Sequence, residues 1–254
     1  MTFKRVITMT AAVALAAACS DGTGPNGNRT VSLSFTTGGG GGAQFSRAGV
    51  LDDTLITNGD TLIITSAQIV LREIELKRVN DDGCESLGMD DDDGCEEFST
   101  GPMIVTLPLN GQVATAITIA PDTGSYDELE FEIHKPESGG DDDAILNGNP
   151  DFDGVSIRVR GTFNGVDFTF ESDLDVEQEN ELADPIVVSD TTTSTNVTMN
   201  VNLDAWFRTA GGNLVDPSTA NKGGQNEGVV KENIKVSFRA FEDQDRDGDD
   251  SDES

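Results

Sequence analysis

The chain is poor in the residues that most catalysis requires. Its 254 residues include one histidine, one tryptophan, one tyrosine and three cysteines. A serine or cysteine nucleophile needs a base beside it, and His134 stands in no nucleophile motif. Carbohydrate clefts use aromatic platforms, and Trp206 and Tyr126 offer few. Basic residues are also scarce: 16 Lys and Arg face 47 Asp and Glu, for a formal net charge of −31. Such a surface repels nucleic acid and anionic lipid headgroups, and attracts divalent cations or a basic partner. The run Gly38–Gly42 lacks the Lys-Ser/Thr and helix of a phosphate-binding loop.

The acids that are present are clustered. They crowd into Asp81-Asp82, Asp90–Asp93, Glu96-Glu97, Asp141–Asp143 and a tail from residue 242. Alternating segments separate the clusters, which predicts a folded body with acidic loops rather than a disordered acidic chain.

The N-terminus carries Lys4 and Arg5, then an apolar stretch over 6–18 that is shorter than the roughly 20 residues needed to span a bilayer. A basic start, a short apolar middle and small residues at the end predict a secretory signal over 1–18. Leu15-Ala16-Ala17-Ala18-Cys19 resembles the lipobox of bacterial lipoproteins, with the leucine four before the cysteine instead of three. The resemblance implies lipidation at Cys19, cleavage before it, and, with Ser20 following, an outer-membrane location. Several acyl chains on one residue anchor stably. Residues 19–30, rich in Gly and Asn, then read as a flexible tether. Cys84 and Cys95 remain as an even pair, which in an exported chain predicts a disulfide.

The body, 31–241, reads as strands, either one sandwich or two packed halves over 31–135 and 150–241. "TVSLSF" alternates with Val31, Leu33 and Phe35 on one face. "TLIITSAQIVLREIELKRV" is β-branched and predicts a long strand, with a change of phase near Leu71–Glu73 that suggests a bulge or a strand passing an edge. "MIVTLPLN" and "QVATAITIA" follow. "DELEFEI" places Leu129, Phe131 and Ile133 on one face at period two. In "VSIRVRGTFNGVDFTFESDLDV" the turn is Asn164-Gly165. Folding there pairs Phe163 with Val166, Gly161 with Phe168 and Val159 with Phe170, and puts Arg158 opposite Glu171. "PIVVS", "NVTMNVNLDAWF" and "NIKVSFRAF" complete nine or ten strands with no helix. The expected fold is an all-β antiparallel sandwich.

"TLIITSAQIVLREIELKR" followed by "TGSYDELEFEI", with Gly124 and Tyr126, resembles bacterial envelope lipoproteins that carry a domain of unknown function. The resemblance implies a transthyretin- or immunoglobulin-like sandwich in the cell envelope and transfers no catalytic residue.

Calcium is the ion best matched by the side chains. "DQDRDG" sets Asp243, Asp245 and Asp247 at alternate positions before Gly248, a spacing of hard oxygens that suits Ca²⁺. It is no EF-hand, because Ser254 stands where the twelfth-position Glu belongs. "NPDFDG" repeats the pattern more weakly with Asn149, Asp151 and Asp153. His134 is expected on the solvated Glu face of its strand. The alternative is a metal ladder of Glu130, Glu132 and His134, whose spacing of about 6.6 Å needs help from a neighbouring strand. Trp206, placed on the Asn200, Asn202 and Asp204 face beside a long polar connection, is a candidate partner contact; the alternative is that it packs under that connection.

These features predict a lipid-anchored, non-catalytic envelope protein that binds or scaffolds, with Ca²⁺ as a stabiliser and an envelope protein as partner. Two alternatives stand beside it: an accessory subunit of a membrane or surface complex, and a carbohydrate-active hydrolase using acids that the sequence does not single out.

Overall fold

The computed structural model describes residues 30–37, 53–79, 101–109, 111–189, 191 and 194–248. Cys19, Cys84 and Cys95, and with them the lipidation and disulfide expectations, lie outside the described residues. The strands are β1 (Val31–Thr36), β2 (Asp53–Thr57), β3 (Asp60–Arg78), β4 (Met103–Thr106), β5 (Ala114–Ile119), β6 (Gly124–Ile133), β7 (Ile157–Phe163), β8 (Val166–Ser172), β9 (Val176–Val188), β10 (Thr195–Val201) and β11 (Phe238–Glu242). Three short helices accompany them: α1 (Asp143–Gly148), α2 (Leu203–Trp206) and α3 (Glu227–Lys235).

The strands form a β-sandwich. One sheet has the order β11-β10-β1-β5, and the other runs β8-β7-β3-β6-β9 with β2 and β4 also on β3. Most pairs are antiparallel, but β1 and β10 run parallel. Strands from before residue 135 and after residue 150 pair in both sheets, β1 with β10 and β3 with β7. Val31, Leu33, Phe35 and Val197 from the small sheet meet Leu62, Ile69, Ile74 and Leu129 from the large one in a single core. Phe131 and Phe238 contact edge-to-face across the layers at 5.3 Å.

Local chemistry explains the elements. The β7–β8 hairpin turns at Asn164 (φ 51°) and Gly165 (φ 78°), which suits the positive φ that such a turn demands. Its register pairs Phe163 with Val166, Gly161 with Phe168, Val159 with Phe170 and Arg158 with Glu171, as the alternation predicts. A second two-residue turn, Asn58-Gly59 (φ 54° and 93°), joins β2 to β3. The expected bulge in β3 lies between Arg72 and Glu75 with Glu73 at φ 52°. It lets both Leu71 and Ile74 face the core. Tyr126 is buried, and its hydroxyl donates to the Asp122 carbonyl at 2.9 Å. At Gly124 a Cβ would stand 3.3 Å from the Arg78 guanidinium, the group that lies over the Tyr126 ring.

Two expectations are corrected. Trp206 is fully buried, and its indole Nε1–H donates to Ser237 Oγ at 2.7 Å. The strand stops at Val201 and the chain coils into α2, so strand alternation no longer assigns its face. It is not a surface contact. The start of "NIKVSFRAF" is likewise helical. Asn233–Lys235 close α3, whose Val230 and Ile234 reach the core, and β11 begins only at Phe238.

Candidate functional sites

The outward face of the large sheet is strongly acidic where β6 meets β9. The register sets Glu128 opposite Glu181, Glu130 opposite Glu179 and Glu132 opposite Glu177. Like charges directly opposite destabilise a sheet. The protein answers in two ways. Lys77 Nζ lies 3.0 Å from Glu75 and 3.1 Å from Glu130. Glu177 is pushed up to about 7 by its hydrogen bond to Glu130 and by that group's charge. Glu130 itself, although burial works against its charge, is held below the usual carboxylate range by Glu177 and Lys77.

At one end this face is covered. Val70 projects outward from β3 and packs with Leu146 of α1 and Phe152. The covering segment begins where β6 ends, and Gly154 N–H returns to the Pro136 carbonyl at 2.8 Å. His134, the first residue after β6, donates its backbone N–H to Val70 O at 3.0 Å and lies beneath the cover. Its side chain is only 6 % exposed. The expectation of a solvated histidine is therefore overturned. Alternation placed His134 on the outer face, and the cover removed that face from water.

The surroundings of the ring are asymmetric. Nε2 lies 2.8 Å from Asp142 Oδ1. Burial works against the charge on Asp142, but the Glu137 N–H, the His134 ring and Arg72 hold its carboxyl below the usual range. An ionised carboxylate only accepts, so Nε2 carries a hydrogen. Nδ1 has no hydrogen-bond partner and is buried. It faces Glu132 Oε1 at 3.5 Å and Asp175 Oδ1 at 3.8 Å. The ligand atoms of Glu132, His134 and Asp175 all lie within 4.8 Å of one another. The alternative ladder of Glu130, Glu132 and His134 is not what gathers: Glu130 goes to Lys77 and Glu177, and Asp175 joins Glu132 and His134 from the residue preceding β9.

The second cluster stands at the end of β11. The carboxylates of Asp243, Asp245 and Asp247 also gather within 4.8 Å. Asp243 is fully buried; its Oδ2 accepts from Thr198 Oγ1 at 2.7 Å and from the Gly248 N–H at 3.2 Å. Its Oδ1 accepts from the Asp247 N–H at 3.1 Å, and Asp245 Oδ1 accepts from the same N–H at 3.2 Å. The loop lies on the outer face of the small sheet. There Ser32, Ser34, Asn196 and Thr198 form a buried polar ladder, and Arg246 donates to Ser32 Oγ at 3.3 Å.

Asn149, Asp151 and Asp153 have separate partners. Asn149 Nδ2 donates to the Ile145 carbonyl at 3.1 Å, Asp151 pairs with the buried Arg158, and Asp153 Oδ1 accepts from the Ser138 N–H at 3.2 Å.

Sequence reasoning missed Asp142, Asp175 and Arg72 as neighbours of His134. One signal was present: Ile69-Val70-Leu71 places an apolar residue on the outward face, which implies a cover. Comparison with known proteins finds no matching family model, no matching curated protein and no matching solved structure.

Proposed function

We propose that the protein is a binding or scaffolding module of the cell envelope, held by lipid on Cys19, with Ca²⁺ ordering the loop from Asp243 to Asp247. The anchor rests on the lipobox-like Leu15–Cys19 sequence. The calcium reading rests on one observation: alternate aspartates at the end of β11 bring three carboxylates within 4.8 Å of one another. Oxygen-only donors at that spacing suit a hard cation, and sites in extracellular modules bind with Kd of about 10⁻⁴ to 10⁻³ M. The acidic sheet face supplies the matching surface for a basic partner.

Ca²⁺ at tenfold its Kd adds about 1.4 kcal/mol to stability by mass action. For a chain of this size that raises Tm by roughly 3 to 6 °C. Calorimetry with and without Ca²⁺ reads the shift, and Asp245→Asn, an exposed substitution, is expected to abolish it. A Tm indifferent to Ca²⁺ and to EGTA would contradict the calcium reading.

A further inference from the structure

We propose that His134 Nδ1, Glu132 and Asp175 form a binding site for a divalent first-row transition-metal ion of the zinc type. This goes beyond the anchor and the Asp243 loop and depends on neither.

The ring's orientation carries the inference. With Nε2–H committed to Asp142, the neutral imidazole offers a lone pair at Nδ1. That atom has no hydrogen-bond partner and lies 3.5 and 3.8 Å from two carboxylate oxygens. Nδ1 is buried while the Asp175 side chain is 47 % exposed, and electron-rich atoms that converge so closely repel one another unless something positive joins them. Two ligands held about 2.1 Å from one ion at a tetrahedral angle stand about 3.4 Å apart. The observed separations match that edge closely enough for small rotamer shifts to complete it.

Each ligand is also held from behind. Asp142 fixes the histidine tautomer, which gives the carboxylate–histidine–metal arrangement that raises the basicity of a metal-binding imidazole. Arg72 binds Glu132 Oε2 through Nε at 2.8 Å and Nη2 at 2.6 Å, and so leaves Oε1 turned toward the ring. The Lys135 N–H donates to Asp175 Oδ1 at 3.2 Å. The donor set of one imidazole nitrogen and two carboxylates selects the class. Ca²⁺ and Mg²⁺ take oxygen ligands, whereas imidazole suits Zn²⁺ and its first-row neighbours. Three protein ligands leave a fourth position, on the exposed Asp175 side, for water or a donor from a partner. The competing occupant is a second proton on Nδ1.

His134 is the only histidine of the chain, so its ring signals report on this site alone. The test titrates Zn²⁺ into the full-length protein, stripped of metal and held in excess Ca²⁺ to occupy carboxylate-only sites. Binding is read by calorimetry and by the ¹⁵N resonances of the ring. One equivalent is expected to bind, with Nδ1 shifted far more than Nε2. Asp175→Asn, an exposed change that leaves the core untouched, is expected to weaken binding at least about tenfold. His134→Gln is expected to abolish it, and Asp245→Asn to leave it unchanged. Zinc that binds without moving the ring resonances, as at thiols, would overturn the proposal. So would full affinity in Asp175→Asn, or ring resonances that respond only to pH.

Discussion

The neighbours of a single residue decide whether it is a functional group or a filler. His134 illustrates this. Period-two alternation assigns it to the outward face, but the segment that carries Asp142, Leu146 and Phe152 folds back over that face, where Leu146 and Phe152 pack on Val70 and Asp142 meets the ring. The apolar Val70 on the outward face signals a cover, but which segment supplies it depends on a contact between residues far apart in sequence. Asp142 was visible only as one member of the acidic run Asp141–Asp143, where many like residues obscure the one that matters. Trp206 was misplaced for a different reason, since alternation was carried past Val201 into a helical turn. Gly161 makes a prediction at this scale. A Cβ there would stand 1.9 Å from the Ile63 carbonyl oxygen, where β7 passes the irregularity at Ile64/Ser66 in β3. Backbone, not a pliant side chain, blocks the space. Gly161→Ala is expected to cost about 3 kcal/mol, the upper end of overpacking effects. Urea unfolding measures it, and an unchanged midpoint would show that the strands do not approach so closely.

Among the elements, the hairpin β7–β8 and the strand β6 were legible because alternation and turn chemistry agree there. The bulge in β3 was legible as a change of phase. The β2–β3 hairpin was missed although Asn58-Gly59 carries the same turn signal as Asn164-Gly165. The parallel pairing of β1 with β10 was not legible, because it depends on contacts across most of the chain. The β6–β9 pair makes a prediction of its own. Glu177 titrates near 7 in the folded protein against 4.5 ordinarily, through its hydrogen bond to Glu130 and that group's charge. Between those values the folded state holds more proton than the unfolded state. Stability from this group is therefore full below pH about 4.5, falls as pH rises toward about 7, and is flat above. Glu177→Gln is expected to flatten that decline and to make the protein slightly more stable than the parent at pH about 8. Unfolding midpoints across pH about 5 to 8 test it; parallel curves for the two proteins would show that the carboxyls do not share a proton.

At the scale of the whole molecule, negative charge is the organising property. A net charge of −31 repels itself, and such repulsion destabilises a compact state. The fold uses the few cations it has at chosen places: Arg72 at Glu132, Lys77 between Glu75 and Glu130, and Lys222 and Lys231 on Asp173. Asp173 is held down to about 2 by those two lysines. At Asp243–Asp247 and beside His134 Nδ1, the proposed bound ions would add further positive charge. Such ions would be available to the exported, membrane-tethered chain proposed above.

The proposed function stands or falls with the display of this acidic sandwich from a membrane by lipid on Cys19. Mass spectrometry of the protein extracted from its native cells tests it most directly. The expected result is a chain that begins at Cys19 and carries the mass of acyl chains there. A chain retaining residues 1–18, or one with an unmodified Cys19 thiol, would contradict it.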